Sequence, residues 1–355
     1  MLINFTKILI KSTHSLRAMQ ETTSENQPVV IINLPKDLGD CLLCVPAIQR
    51  VINANAGAQV VATGSKLAAG WIEGLGGLTL DLRPAEELDP RMNVTSIFNF
   101  NFYQPSVAAD VFPLAPFYAP EKLVTVKEDG PDFGAGAVIG KKHVGALLTD
   151  CLVTAGLLEP WQRLPLPAVP GALVEAGQVA DTKTKFGLPE FYALLIPVCA
   201  QDRPFKKWQT EKFVELAKRI QAAGTTPVLV GGPSPAEKEL CAEIAAKTGG
   251  AIMNICGETA IPEIASLAAG AAFTVGNDTG PTHIAAVTGS PTFAFFGYYN
   301  DPNTWRPMNA ANTACVISAD RIQNISIDDV WKKVEPLANP SISVRRRPTV
   351  LRKDQ

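Results

Sequence analysis

The chain has 355 residues, of which 46% are hydrophobic and 19% charged, and a formal net charge of −2. That length suits two domains of ordinary size, and the apolar content supplies ample cores and excludes a disordered chain. The near-neutral balance excludes a broad electrostatic footprint for nucleic acid, and no apolar run approaches the roughly 20 residues that span a bilayer.

The opening segment, MLINFTKILIKSTHSLRAMQ, carries Lys7, Lys11 and Arg17 among Leu2, Ile3, Phe5, Ile8, Leu9 and Ile10, with no acid before Glu21. Its apolar stretch is short and interrupted by Lys7, which argues against a secretory signal. Residues 1–27 read as a tail, frayed or translated from ahead of a start at Met19. An amphipathic anchor lying on a membrane is the other reading. Arg345, Arg346, Arg347, Arg352 and Lys353 form a second basic cluster. Two basic ends on a near-neutral body suit peripheral contact with an anionic membrane face; solvated tails are the plainer account.

Val29–Asn33 is a buried strand, followed by LPKDLGD and a helix from about 40 to 53. Further strands are expected at 59–63 and 78–82. From 92 to 131 the pattern blurs into FNFNFYQP and FPLAPFYAP, which supports irregular structure with one or two strands. Residues 143–156 read as a helix, 160–171 are proline-rich, and the stretch to about 188 is expected to be a connector. This divides the chain into a first domain over 28–175 and a second over 176–326, with a last helix and basic tail over 327–355.

The second half alternates cleanly. Apolar strands are expected at 192–197, 227–230, 251–255, 272–275 and 292–296, with helices at 210–223, 235–247, 261–269 and 327–337. Phe213, Leu216, Ala217 and Ile220 recur at helical spacing and Gly224 follows as a C-cap. Near-continuous apolar strands, each followed by a helix, imply a parallel sheet covered on both faces. This is a doubly wound α/β arrangement, whose ligands sit at the carboxyl ends of the strands.

The seven cysteines follow no disulfide framework, which suits a reducing compartment. Cys41 and Cys44 form a CxxC within a predicted helix and read as small buried side chains. The three histidines, His14, His143 and His283, offer no metal spacing.

Three strand-end loops can converge on a cleft. In the first, Gly39 permits a tight turn, and Asp40 stands near the helix start, as a cap or as a carboxylate facing the cleft; spacing alone favours the cap. The second, QDRPFKKW at 201–208, offers Arg203, Lys206 and Lys207 beside Trp208. It is a cation source for a departing diphosphate, or a solvated loop with Trp208 as a packing anchor. The third opens the run VGNDTGPTHIAAVTGSPTFAFF at 275–296. There Asp278, Thr279 and Gly280 precede Pro281 at a helix N-terminus, which is either a phosphate site or an ordinary capped turn. Gly231 and Gly232 let backbone approach a nucleotide. Glu237 either accepts from ribose hydroxyls or is an exposed acid in a first helical turn.

At these residues the chain resembles glycosyltransferase family 9, the lipopolysaccharide heptosyltransferases. The matching stretches are GDCLLCVPAIQRV, KKWQTEKFVELAKRI, VLVGGPSPAEKE, NICGETAIPEIASLAAGA and NDTGPTHIAAVTGSPTFAFFG, in that order. The resemblance implies a GT-B fold, two Rossmann-like doubly wound domains facing across a cleft, with the acceptor on the first and a sugar nucleotide on the second. It implies an inverting transfer without a metal or other cofactor, from ADP-heptose or a related donor to a cell-envelope glycolipid or glycan. Asp40 then matches the general base and Lys206 the lysine on the donor's sugar-diphosphate. Asp278, Thr279 and Gly280 match the donor-binding turn, with His283 shaping it. Gly232, Glu237 and Thr259 fall on the donor side and Gly39 on the acceptor side. The enzyme is then expected in the cytoplasm, at or near the inner membrane. Two departures stand out: the turn Pro197-Val198-Cys199-Ala200 is bulkier than the family's, and 92–131 does not follow its pattern. The alternative is a sugar-nucleotide-binding protein whose acceptor site has drifted, and a sugar-nucleotide epimerase of the same fold is a third reading.

Overall fold

The computed structural model describes residues 27–35, 37–64, 78–81, 88–89, 91–100, 122–125, 143–168, 174–250, 252–309, 311 and 313–343. The two basic ends and most of 101–142 lie outside these. Two parallel sheets form the frame. In the first, β1 (Val29–Asn33), β2 (Gln59–Thr63), β3 (Leu78–Leu80), β4 (Val94–Asn99) and β5 (Lys122–Thr125) lie in the order β3-β2-β1-β4-β5. The second contains β6 (Tyr192–Ile196), β7 (Thr226–Leu229), β8 (Met253–Asn254), β9 (Thr274–Asn277), β10 (Thr292–Phe296) and β11 (Ala314–Ser318). Its order is β11-β10-β9-β6-β7-β8.

Every strand pair is parallel, so each strand must be followed by a crossover, and the strand sequences are apolar on both faces. VVIIN and YALLI are buried along their whole length. The order of strands reverses between β1 and β4 in one sheet and between β6 and β9 in the other. A crevice opens at each reversal, because the flanking connections run to opposite sides. The loops after β1, β6 and β9 therefore frame the ligand position.

Helix α1 (Leu38–Ala54) follows β1, and α2 (Val144–Thr154) packs against it. The second sheet is covered by α3 (Ala176–Lys185), α4 (Thr210–Ala222), α5 (Pro235–Lys247), α6 (Ile261–Gly270), α7 (Gly280–Val287) and α9 (Ile327–Ala338). A one-turn α8 (Pro302–Trp305) follows β10, and α10 (Pro340–Ser343) ends the described chain. The expected connector is in part helical: α3 lies within it and packs on α6. Its sequence AGQVADTKTK buries only Thr182, so it carries almost no apolar pattern. β11 was also absent from the sequence reading, since its residues are mostly half-buried at a sheet edge. β4 and β5 are the strands expected within the otherwise irregular stretch 92–131.

The two domains touch at the helix ends that border the crevice. α1 packs on α7, and His143, which caps α2 by accepting from the Gly145 amide at 3.1 Å, reaches Arg306 O of the second domain at 3.0 Å. None of the seven cysteines is in a disulfide, and Cys41 and Cys44 are buried as small side chains. Among the described residues no helix is long and apolar enough to cross a membrane.

Candidate functional site

A cavity of about 320 Å³ lies at the meeting of the two strand reversals. Gly39, Asp40, Lys206, Gly232, Glu237, Thr259, Asp278, Thr279, Gly280 and His283 all line it. The sequence placed these residues on five separate segments. The chain brings them together because each segment leaves the carboxyl end of a strand or opens the next helix.

Asp278 is the hub. It follows β9 directly, is 4% exposed, and both of its carboxylate oxygens are held. Lys206 Nζ donates to Oδ2 at 2.6 Å and Asn300 Nδ2 donates to the same oxygen at 3.3 Å. His283 Nε2 meets Oδ1 at 3.0 Å. Burial opposes the charge, but Lys206 and His283, with their hydrogen bonds, outweigh it and hold the carboxyl well below the ordinary carboxylate range. Asp278 is thus an ionised anchor that aims the Lys206 ammonium into the cavity.

Lys206 itself is carried by a short 3-10 turn, Pro204–Lys206, and that turn is pinned from beneath. Trp208 is fully buried, its ring 5.0 Å from Phe213 and 4.6 Å from Phe295, and its Nε1 donates to Ile325 O at 3.0 Å. Its backbone N–H donates to Asn277 Oδ1 at 3.0 Å, while Asn277 Nδ2 donates to Pro197 O at 2.7 Å. Asn277, the last residue of β9, therefore ties the loop after β6 to the loop after β9. Trp208 is a packing anchor, and the cations beside it are only partly solvated: the Lys206 side chain is 12% exposed.

Helix α7 begins immediately after Asp278. Thr279 occupies its N-cap position without a side-chain cap bond, so the first turn keeps N–H groups for an anion in the cavity. Thr282, one turn in, bonds back to Asn277 O at 2.7 Å and fixes the entry angle.

Asp40 stands across the cavity on the other domain. It is not the cap expected from spacing. α1 starts earlier, at Leu38, with Asp37 at the N-cap position and Asp40 in the first turn, lining the cavity. With Leu38 and Gly39 already helical, the acid falls at the third helical position instead of the cap. Asp40 is 7% exposed, and its Oδ2 makes no hydrogen bond to a protein group. Burial pushes its carboxyl well above the ordinary range. Lys206 pulls it back, Asp37 and Asp278 push it further up, and Arg203 pulls it down. A buried carboxylate with an open oxygen and a raised pKa is suited to accepting a proton near neutral pH.

At the far end of the cavity, Glu237 lies in the first turn of α5 and packs against Gly232. A Cβ on Gly232 would stand 2.5 Å from Glu237 Oε2. Burial raises the Glu237 carboxyl, against hydrogen bonds from the Gly232 amide and Ser234. It is half-buried and faces the cavity, so the reading as a freely exposed first-turn acid does not hold. Thr259 Oγ1 is buried there without a protein partner. Val198, Cys199 and Ala200, the bulkier turn, form part of the wall.

Two participants escaped the sequence reading. Asp37 pairs with Arg203 at 2.7 Å, an ion pair joining the two domains at the cavity rim. Asn300, buried at 2% exposure, supports Asp278; its turn, YYNDP, carries only turn-forming signals, and nothing in its spacing points at the hub. Among the described residues no group of three or more His, Cys, Asp and Glu side chains is placed to hold a metal ion.

Residues 154–334 match the profile of glycosyltransferase family 9 (heptosyltransferase). Lipopolysaccharide heptosyltransferase 3 of Escherichia coli (strain K12) is 33% identical over 122 residues, 34% of this chain and 35% of that protein. Lipopolysaccharide heptosyltransferase 2 of the same strain is 30% identical over 147 residues, 40% of this chain and 42% of that protein. The alignments thus span well under half the length of these curated relatives. The solved structure of E. coli ADP-heptose lps heptosyltransferase II superposes with a TM-score of 0.66 at 19% identity, covering 87% of this chain and 98% of that one. E. coli heptosyltransferase WaaC with ADP gives 0.62 at 17% identity, covering 87% and 99%. The fold is GT-B, two Rossmann-like domains facing across a cleft. With the family profile matched over half its length, the chain belongs to glycosyltransferase family 9, the heptosyltransferase family.

Proposed function

We propose that this chain is an inverting glycosyltransferase that moves a heptose from ADP-heptose, or a related nucleotide sugar, to a glycolipid or glycan of the cell envelope. The observation that carries the reading is one cavity with Asp40 on one wall and the Lys206–Asp278–His283 group, with the α7 N-terminus, on the other.

The acceptor hydroxyl attacks the anomeric carbon while Asp40 takes its proton. The new C–O bond forms as the bond to the diphosphate breaks, on the opposite side of that carbon, so the configuration inverts. The leaving diphosphate gathers negative charge, which Lys206 and the α7 amides meet. Thr279 and Gly280 contribute backbone to the phosphates, and Asp278 reaches the sugar. Glu237 accepts from ribose hydroxyls with Gly232 and Thr259 beside it, and Gly39 leaves room on the acceptor side. This mechanism uses no metal and no other cofactor. We place the reaction in the cytoplasm, which suits a chain whose seven cysteines follow no disulfide framework, and at the membrane face where a lipid-borne acceptor resides.

Calorimetric titration with ADP, ADP-heptose and a panel of other nucleotide sugars, with and without EDTA, tests the donor site. EDTA-insensitive binding of the adenine nucleotides is the expected result. Preference for another nucleotide would displace heptose, and absence of any binding would sink the transferase reading.

A further inference from the structure

Among the described residues five large apolar side chains are exposed, and three of them stand together: Phe205 at 37%, Tyr298 at 54% and Tyr299 at 57%. The Phe205 and Tyr299 ring centroids are 5.8 Å apart with planes at 58°, and Tyr298 meets Tyr299 edge-on at 5.4 Å and 88°. The rings border a depression of about 480 Å³ whose polar wall carries Asp320, Arg321 and Gln323. Clustered rings left in water mark a surface that binds something.

The display is rigid. Asn300 Oδ1 accepts from the Gly297 N–H at 2.7 Å and closes the turn that presents both tyrosines. The Tyr298 N–H donates to Asp320 O at 3.1 Å. On the polar wall, Asp320 Oδ1 accepts from Asn324 at 2.7 Å, and Gln323 Nε2 donates to Lys207 O at 3.1 Å. The two segments that present the rings also grip the hub. Phe205 adjoins Lys206, and Tyr299 adjoins Asn300, and both neighbours bond Asp278 Oδ2. The patch therefore adjoins the Lys206–Asp278 end of the cavity, while Glu237 and Gly232 occupy its other end.

A pyranose ring presents a face of C–H groups and a rim of hydroxyls. Aromatic faces take the first, and carboxylate, guanidinium and amide groups take the second. Rings inclined to one another suit successive sugar units, whose planes turn at each linkage. The wall holds one acid and one base, without the basic surplus that recruits anionic lipid. We propose that Phe205, Tyr298 and Tyr299 form a saccharide platform on the second domain, which receives acceptor sugars that extend across the cleft from the first. The proposal rests on the transferase reading above and adds to it where the acceptor's glycan lies.

The test uses core oligosaccharide released from lipopolysaccharide by mild acid as the probe. Saturation-transfer NMR and calorimetry read its binding to the full chain, with ADP titrated in parallel and melting temperatures recorded. The double variant Tyr298→Ala/Tyr299→Ala is expected to lose about tenfold or more in oligosaccharide affinity, with ADP affinity within about twofold. Tyr298→Phe and Tyr299→Phe, which keep the rings, are expected to retain most of it, and Phe205→Leu to lose part. Unchanged oligosaccharide binding in the double variant, or no binding by the wild type, overturns the platform. So does a loss confined to co-sedimentation with phosphatidylglycerol vesicles, which would make the rings a membrane contact. Failure of ADP to bind alongside ring-dependent oligosaccharide binding would remove the transferase reading and leave the platform standing.

Discussion

Gly39 and His283 meet across the cleft: a Cβ on Gly39 would lie 3.1 Å from Cδ2 of the imidazole. The glycine belongs to α1 of one domain and the histidine to α7 of the other, and that imidazole bonds Asp278 Oδ1 at 3.0 Å. The absence of a side chain in one domain thus allows the orientation of a carboxylate in the other. Gly280 mirrors it, since a Cβ there would lie 3.1 Å from the Leu38 Cβ. In Gly39→Ala the ring must yield by a few tenths of an ångström. Transfer is expected to fall about tenfold through misplacement of the Asp278 group. Donor titration and kinetics, with a melting temperature to show the fold intact, check this; unchanged kcat/KM would mean the contact is slack.

Asp40→Asn should lower transfer by about 10²–10⁴-fold while leaving ADP affinity nearly unchanged. The wild-type kcat/KM should rise with pH through a midpoint above the ordinary carboxylate range, because burial, with Asp37 and Asp278, raises the Asp40 pKa. The stability sign is the reverse of the usual acid. A raised folded pKa means the folded state takes up its proton first as pH falls, so ionised Asp40 destabilises the fold at neutral pH. Asn at this position should therefore melt no lower than wild type at pH 7, a separation of stability from activity.

The ion pair between Asp37 and Arg203, with side chains 35% and 26% exposed, should contribute less than about 1 kcal/mol to stability in a double-mutant cycle. Its chemical effect is more visible. Asp37 raises the Asp40 pKa and Arg203 lowers it. Asp37→Ala should move the pH–rate profile to lower pH, and Arg203→Ala to higher pH. Shifts in the same direction would exclude this electrostatic account.

His143 should make the domain contact acid-sensitive. Burial lowers its pKa to about 4, opposed by the hydrogen bond to Arg306 O, which favours the charged ring, and aided by the Arg306 charge. The neutral ring accepts from the Gly145 amide at Nδ1 and donates from Nε2 to Arg306 O. Between the free histidine value and about 4 the unfolded chain holds the extra proton, so stability falls as pH drops, by up to about 1.4 kcal/mol per pH unit. His143→Asn should flatten that slope in melting curves from pH 7 to pH 4.

The strands of the second domain were legible because runs such as YALLI and TFAFF are apolar throughout, as a sheet buried on both faces requires. β11 was not, because a half-buried edge strand is compatible with many sequences. α3 was not, because its polar surface leaves no stripe. In the site, residues carried on strand-end motifs were legible, since glycine, proline and acid stand there at fixed offsets. Asp40's place within the helix was not, because the cap and the first turn differ by three residues and share a preference for acids. Asn300 was invisible for a different reason: its role is set by a contact with Asp278, 22 residues earlier in the chain.

The pairing of Lys206 with Asp278 has a kinetic consequence. Among the described residues, the cavity lining carries two fixed cations, Arg203 and Lys206, against Asp37, Asp40, Glu237 and Asp278. Each cation already has an acidic partner. On the transferase reading proposed above, a dianionic diphosphate meets a mouth with no positive excess to draw it in, and has to win the ammonium from Asp278 at close range. Association should proceed without attractive long-range steering, and stopped-flow rates for ADP should not fall between 50 and 200 mM salt, while the grip of the bound nucleotide depends on how much of the Lys206 ammonium it takes from Asp278.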